Sequence, residues 1–333
     1  MIHRHELWIE KFSGRLRVPV WIGALVFDAI LAVVFPSVSF LGGDWSLFVT
    51  TTGYFVLALL PIVFVFNVLP VYIRNQMLSL EEYSLAMVKD RKLVSDKLSS
   101  ISSLRAVLAV DVIFNLIVSI PFVIADEGRL PFAQNLFVNV APWFLGLLPV
   151  ATSLWIFGYS MVGIYRIGRL PMTLQPFTKD RTLGLGPFAS VSLRLTAIYY
   201  SYIAIQVILD ATSVGLSPPV FARDAILVLL GMVLFLLPLF NIHGKLVQAK
   251  LEEARWLSER YTLVVERIKS DRDRPLDEGV QRDLLSIDKM QKDVHSIRSW
   301  PFDAGVLTKL LTIILSLAAI LLSKVLGPVF GLH

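Results

Sequence analysis

Apolar runs of about 20 residues recur along the whole chain, and each is long enough to cross the hydrocarbon core of a bilayer as a helix. Of the 333 residues, 55% are hydrophobic and only 17% are charged, which is too little polar surface to coat a soluble globule of this size. The sequence therefore predicts an all-α, polytopic membrane protein. Its seven predicted transmembrane helices are 18–36, 47–70, 106–125, 136–163, 190–214, 224–243 and 304–326.

The basic residues predict the orientation of these helices, because Lys and Arg concentrate on the cytoplasmic side of a membrane. With the N-terminus inside, 27 of the 31 Lys and Arg residues fall on inner segments and 3 on outer ones, while Lys309 lies in the last span. We expect an N-in, C-out protein that crosses a lipid bilayer, the prokaryotic inner (plasma) membrane, several times. The net charge of +5 reflects this orientation and predicts no nucleic-acid partner.

The predicted organisation has three parts. Residues 1–243 hold the first six spans with cytoplasmic loops at 71–105 and 164–189, residues 244–299 form a cytoplasmic helical hairpin, and residues 300–333 hold the seventh span and a short outer tail. The hairpin contains 12 basic and 11 acidic residues around a turn rich in Pro, Gly and Asp. Such nearly balanced charge favours packing against neighbouring helices or a second subunit.

Composition also excludes several kinds of chemistry. The chain has no cysteine, which excludes disulfides, thiolate nucleophiles and iron–sulfur clusters. The five histidines form no HExxH helix. Because no motif combines a nucleophile, a base and a metal, we expect neither enzymatic activity nor a cofactor.

Polar residues inside an apolar helix are costly, so each is a candidate functional group. The fifth predicted span has polar residues along one face of the helix, which suits either a ligand cavity or a hydrogen-bonded seam between helices. This face comprises Tyr199, Tyr202, Gln206, Asp210 and Ser213.

In the last span, hydroxyl side chains follow an arc of about 80°. They suit a pore wall, because hydroxyls share hydrogen bonds with a hydrated ion without holding it too strongly. Their alternative role is to bond carbonyls of their own helix. The hydroxyl residues are Thr308, Thr312, Ser316 and Ser323.

Two carboxylates also fall inside predicted spans, Asp28 near the middle of the first and Asp111 in the third. Each is a candidate proton or cation site, with a structural role as the alternative. Asn67 and Asn241 lie close to prolines, and we expect them to satisfy backbone groups that the proline kinks leave free.

The hairpin meets the last span at Trp300-Pro301-Phe302-Asp303. Pro301 disfavours helix at Trp300 and suits the first turn of a new helix, while Asp303 would lie near the positive N-terminal end of the span. We interpret Trp300, Pro301 and Asp303 as a gating joint, with a fixed helix start as the simpler alternative.

Three local patterns resemble a broad, functionally uncharacterised family of prokaryotic multi-pass membrane proteins, over about the C-terminal half of the chain. The loop among them is similar to a degraded form of a His-Pro-Asp and Gly-Gly-Leu loop, and the resemblance implies no activity. The patterns are Leu237-Pro238-Leu239 followed by His243 and a charged helix, Trp300-Pro301-Phe302-Asp303, and the loop 175–186. The predicted topology is also similar to that of insect odorant and gustatory receptor channels, although their last-span signature is not found here.

Together these features favour a homo-oligomeric channel, with ligand gating as an option. The last span would line the pore, subunits would meet through the hairpin and this span, and ions or a small-molecule ligand would be the partners. A proton-coupled secondary transporter is one alternative, although seven spans do not divide into two equal repeats. A non-conducting ligand-binding receptor or assembly protein is the other.

Overall fold

The computed structural model describes residues 6–41, 60–88, 91–98, 100–125, 131–132, 140–213, 218–270, 278–302, 305, 308–316 and 318–319. Over these residues the protein is helical and has no strand. In chain order the helices are α1 (Trp8–Leu16), α2 (Val20–Leu41), α3 (Leu60–Met87), α4 (Arg91–Leu98), α5 (Leu104–Ala125), α6 (Ala141–Gly168), α7 (Gly186–Ser213), α8 (Pro218–Ser270) and α9 (Glu278–His295). Residues 308–316 are helical as well.

Three of the described helices are long and apolar enough to cross a membrane, namely Pro61–Met87, Trp143–Gly168 and Ala222–Lys269. The pair Trp8–Leu16 and Val20–Phe35, bent by 95°, adds a fourth if it forms one span. The prediction of an all-α chain with several apolar helices is confirmed, and it is compatible with a membrane protein. The count of seven spans and the N-in orientation stay predictions, and parts of several predicted spans lie outside the described residues.

Helix α8 shows the surface that such a helix needs. Leu229 and Phe240 are 64% and 65% exposed, whereas Phe235, Leu239 and Ile242 are fully buried. Both faces are apolar, as expected of a helix that packs on its neighbours on one side and meets lipid tails on the other. The helix continues without a break for 53 residues, so it also forms the first arm of the predicted hairpin.

The chain divides into two compact units. The first comprises Met1–Glu81 and Ser95–Ser160, and the second comprises Glu82–Val94 and Met161–His333. In the second unit, α8 packs against both α7 and α9. The hairpin and the fifth predicted span are thus organised around one long helix.

Within the first unit, polar contacts hold the short helix α1. The carboxylate of Glu10 accepts a hydrogen bond from the N–H of Leu7 at 2.9 Å and pairs with both terminal nitrogens of Arg74, whose residue is 5% exposed. The indole N–H of Trp8 donates to the hydroxyl of Thr152 at 2.8 Å. Removing Glu10 would take an ion-pair partner away from a buried guanidinium, which is costly.

Prolines lie inside several long helices, and hydroxyl side chains bond carbonyls near two of them. Pro70 has no N–H to donate to the carbonyl of Phe66, one turn earlier. Ser153 of α6 donates to that carbonyl at 3.1 Å. Near the proline of α8, Ser192 donates to the carbonyl of Phe235 at 3.3 Å. In α3 the freed carbonyl is therefore bonded by a neighbouring helix, as buried backbone groups require.

Candidate functional site

The predicted gating joint is a stack of aromatic rings against α8. The imidazole of His243 lies parallel to the indole of Trp300, with ring centroids 4.1 Å apart and an angle of 18° between the planes. Phe302 lies 5.4 Å from Trp300 and 5.4 Å from Phe235 of α8, and Pro301 is buried. The segment that leads into the last helix is therefore packed on α8, while Asp303 lies outside the described residues.

Two hydrogen bonds reinforce the joint. Nδ1 of His243 is 2.7 Å from the carbonyl oxygen of Ser299, and since a carbonyl only accepts, Nδ1 carries the hydrogen. Lys250 donates to the carbonyls of His295 and Ile297 at 3.0 and 2.9 Å. These carbonyls lie at and just beyond the C-terminal end of α9, where backbone groups lack intrahelical partners and a cation is favourable.

A cleft of about 690 Å³ separates the two arms of the hairpin. Its floor is apolar, with Leu257 and Ile287 both 4% exposed. Lys250, Tyr261 and His295 also line it. A cleft of this volume, with an apolar floor and a few polar groups, has the size and lining of a small-molecule site.

The loop before α7 is organised by one carboxylate. Asp180 accepts hydrogen bonds from the N–H and hydroxyl of Thr182 at 2.9 and 2.6 Å, and from the N–H of Gly184 at 2.9 Å. Burial raises the pKa of Asp180, but these hydrogen bonds and the charge of Arg298 outweigh it, so the pKa lies below its usual value of 3.8. Tyr83 donates to the carbonyl of Gly184 at 2.7 Å.

The three local patterns noted in the sequence lie together in the second unit. The backbone N–H of Arg298 donates to the carbonyl of Arg181 at 3.1 Å, which ties the loop to the joint. His243 ties α8 to the same joint through Trp300. Patterns separated by more than 50 positions in the sequence are thus neighbours in the fold.

The hydroxyl side chains of the last helix are exposed at residues 308, 312 and 316. Thr312 donates to the carbonyl of Thr308 at 2.9 Å, and Ser316 donates to the carbonyl of Thr312 at 2.8 Å. Each of these two hydroxyls therefore uses its hydrogen within the helix and leaves oxygen lone pairs directed outward. Ser323 lies outside the described residues. Thr308, Thr312 and Ser316 are called the hydroxyl stripe below.

On α7, the tyrosines of the predicted polar face have different surroundings. Tyr199 donates to the carbonyl of Leu227 in α8 at 2.8 Å, whereas Tyr202 is 44% exposed. The sequence analysis missed Tyr200, which is 1% exposed and donates to the carbonyl of Val228 at 3.0 Å. The contact of Tyr199 favours a seam between α7 and α8. The side chains of Gln206, Asp210 and Ser213 lie outside the part that the structure describes.

The two predicted intramembrane carboxylates are both buried in the first unit. Asp28 of α2 is 3% exposed and accepts a hydrogen bond from the amide nitrogen of Asn67 in α3 at 3.0 Å. Asp111 of α5 is 2% exposed. Asn67 therefore binds a carboxylate, and the proline-related role expected of it belongs to Ser153. Asn241 bonds the carbonyl of Tyr165 in α6 at 3.0 Å, which is likewise a contact between helices.

Two further buried carboxylates escaped the sequence analysis, Glu81 of α3, which is 5% exposed, and Asp224 of α8. Asp224, in the first turns of α8, is fully buried and accepts hydrogen bonds from Nε and Nη2 of Arg223 at 3.0 and 2.8 Å. The adjacent Arg-Asp pair at the edge of an apolar run was the available signal. Its burial depends on neighbouring helices, which hydropathy does not locate.

The sequence matches no protein-family model, and no curated protein or solved structure is detectably similar to it.

Proposed function

We propose that this chain is the subunit of a homo-oligomeric membrane channel in which the last helix lines the pore. Subunits would meet through the hairpin and the last helix, in the inner membrane of a prokaryote, with the N-terminus and the hairpin on the cytoplasmic side. The positive-inside distribution of Lys and Arg supports this orientation.

The hydroxyl stripe is the observation that carries the proposal. Leu310, about 200° around the helix from Thr308 at 100° per residue, is 2% exposed. The side chains of Thr308, Thr312 and Ser316 are exposed, so the stripe is directed away from the residues that bury Leu310. Its outward oxygen atoms offer weak, repeated acceptors to a passing hydrated cation, which favours conduction over tight binding.

The hairpin cleft and the joint support gating by a ligand. A ligand in the cleft would contact α8 on one wall and α9 on the other. Lys250 of the cleft wall holds the end of α9, and His243, about two turns earlier on α8, stacks on Trp300. A change in the spacing of the hairpin arms would therefore move the start of the last helix.

The first experiment replaces a stripe hydroxyl with a bulky apolar group. Ser316→Leu should leave the amount and melting temperature of reconstituted protein unchanged but abolish single-channel currents in planar bilayers, because leucine removes the acceptor and narrows the pore. The matched control is Ser201→Leu on α7, where the same side chain is exposed and bonds the carbonyl of Ala197 at 2.9 Å.

The control variant should conduct like the wild type. Normal currents through Ser316→Leu would remove the last helix from the pore. Particle imaging of the protein in nanodiscs tests assembly separately: a ring with the stripe on its axis is expected, whereas a monomer, or a dimer with this helix facing lipid, would reject the shared pore.

A proton-coupled secondary transporter is the second candidate, and the buried carboxylates Asp28 and Asp111 favour it. It predicts substrate uptake driven by a proton gradient into vesicles that show no unitary currents. In that assay Ser316→Leu would have little effect, and the two candidates are thereby distinguished.

A further inference from the structure

A carboxyl group and an amide group face each other between α2 and α3. Asp28 is 3% exposed and Asn67 is 1% exposed, and Nδ2 of Asn67 donates to Oδ1 of Asp28 at 3.0 Å. This bond uses one oxygen of the carboxyl group and the nitrogen of the amide. The second carboxyl oxygen and the amide oxygen take no part in this bond.

Those two remaining oxygens, Oδ2 of Asp28 and Oδ1 of Asn67, are buried and have no hydrogen-bond partner among the described residues. Both are acceptors when the carboxyl group is ionised. A buried acceptor without a donor is costly, and a buried charge without a counter-ion is more so. If Asp28 were ionised, the contact with Asn67 would carry both penalties, an unpaired buried charge and buried acceptors without donors.

Among the described residues of the first unit, the other buried charged groups do not relieve this cost. The guanidinium of Arg74 is engaged with Glu10, and no described ion pair includes Asp28. The other buried carboxyl groups of this unit would repel a charge at Asp28 rather than balance it. In addition to Asp28, the described ionisable side chains buried in this unit are Arg74, Glu81 and Asp111, and Glu10 is partly buried.

We infer that Asp28 and Asn67 form a proton-binding site in which Asp28 is held as the neutral acid. The proton sits on Oδ2 of Asp28 and is donated to Oδ1 of Asn67, while Nδ2 of Asn67 donates to Oδ1 of Asp28. One proton thus satisfies both remaining oxygens and closes a planar ring of two hydrogen bonds. The terminal torsions of Asp and Asn are soft, so the two planes align at little cost.

Loss of this proton would change how α2 packs on α3. The O–H bond breaks, the proton passes to water, and the carboxylate left behind faces an amide oxygen that repels it. The contact lies one residue after Phe66, whose carbonyl Pro70 leaves without its helical donor and Ser153 bonds instead. The site therefore lies beside the point where α3 lacks one of its own backbone hydrogen bonds. The inference holds whether or not the chain conducts ions.

Infrared spectroscopy of the full chain in nanodiscs reads the proton directly. Protein labelled with carbon-13 at the aspartate carboxyl carbons should show, at neutral pH, a protonated-carboxyl C=O band that shifts on labelling and disappears in Asp28→Asn. Asn67→Leu should keep the band but move it to higher frequency, because the C=O group loses its hydrogen-bond donor. Asp288→Asn, which removes an exposed carboxylate, is the control and should change nothing in this region.

A neutral-pH spectrum in which folded Asp28→Asn leaves every protonated-carboxyl band unchanged would overturn the inference, and so would an unchanged spectrum of Asn67→Leu. The Asn67→Leu arm applies even if Asp28→Asn fails to fold. In a folded Asp28→Asn variant, the new amide would imitate the neutral acid and pair with the amide of Asn67, so its melting temperature should stay near the wild-type value.

A metal cation is the rival occupant, and melting temperatures distinguish it from a proton. At constant ionic strength, replacing choline with Na⁺ should leave the wild-type melting temperature unchanged. A rise with Na⁺ concentration that is lost in Asp28→Asn would show a sodium site and reject the proton. With a proton, wild-type stability should instead fall as the pH rises, and Asp28→Asn should lack this fall.

Discussion

Asp180 shows how one side chain fixes a loop that joins two helices. Its carboxylate receives three hydrogen bonds from residues within four positions, and the loop then bonds to Tyr83 on one side and Arg298 on the other. Bonds to a charged acceptor contribute more than neutral ones. The loop therefore depends on the ionised form of this aspartate.

Removing the charge of Asp180 should lower the stability of the folded protein and reduce the dependence of that stability on pH in the acidic range. The pKa of Asp180 is lower in the folded protein than its usual 3.8. The stabilisation by its charge is therefore complete at pH values above 3.8, and it is lost as the pH falls through the lower pKa of the folded protein. Asp180→Asn should lower the free energy of unfolding at neutral pH by about 1–3 kcal/mol. Melting temperatures measured in detergent from neutral to acidic pH test this.

The control is Asp288→Asn, which breaks an exposed pair with Lys292 at 2.7 Å. An exposed pair contributes at most about 1 kcal/mol, so the control should melt close to the wild type. Equal melting temperatures for the Asp180 and Asp288 variants would show that the loop does not depend on the aspartate charge.

Residue positions in helices could be predicted from the sequence, whereas residue partners could not. Hydropathy placed Asp28 inside an apolar run, but Asn67 lies 39 positions away, and only the packing of α2 on α3 brings the two together. The prolines were visible in the sequence, yet the donor for the carbonyl that Pro70 leaves free came from another helix. Local patterns carry no information about which distant helix supplies a partner.

At the scale of elements, α7 and α8 approach closely because Gly231 faces two tyrosines. A Cβ atom at this position would lie 2.6 Å from Cζ of Tyr200 and 2.8 Å from Cε1 of Tyr199, nearer than real carbon atoms approach. Both tyrosines also donate to carbonyls of α8. Small residues of this kind allow helices to pack closely in membranes.

Gly231→Ala should therefore destabilise the protein by about 1–3 kcal/mol, since the added methyl group forces the rings or the helices apart. Gly158→Ala on α6 is the matched control, because a Cβ atom there meets nothing within 4 Å. Alanine favours helix over glycine by up to about 1 kcal/mol, so the control should be neutral or slightly stabilising. Chemical unfolding in mixed micelles compares the two, and equal stabilities would contradict close packing at Gly231.

The same pair of helices shows why a helical face is harder to predict than a helix. The existence of α7 and the continuation of α8 beyond the apolar run follow from local hydropathy and helix-compatible spacing. Periodicity also grouped Tyr199 with Tyr202, but the contact with α8 selects Tyr199 and its neighbour Tyr200. The buried face is decided by the small residue opposite, which a single-helix pattern does not contain.

At the scale of the whole molecule, charge distribution is the strongest topological signal. A positively charged segment resists transfer across the membrane, so the dense basic segments predict the inner side. The hairpin from 244 to 299 holds 12 of the 31 Lys and Arg residues. In the segment between the third and fourth predicted spans, Arg129 is the only basic residue. These two segments should therefore lie on opposite sides of the bilayer.

The absence of native cysteine allows this prediction to be tested with single substitutions. Phe132 is 73% exposed in the segment predicted outside, and Ser258 is exposed on the hairpin arm predicted inside. In intact spheroplasts, a membrane-impermeant maleimide should label Phe132→Cys and spare Ser258→Cys, which should react only after the membrane is permeabilised. The unmodified chain, which has no cysteine, is the blank.

Reversed labelling would show the opposite topology. Labelling of both positions in intact spheroplasts would show that the chain crosses the membrane an even number of times between them. Either result would move the hairpin and its cleft away from the cytoplasm, and a cytoplasmic ligand could then no longer act through the joint.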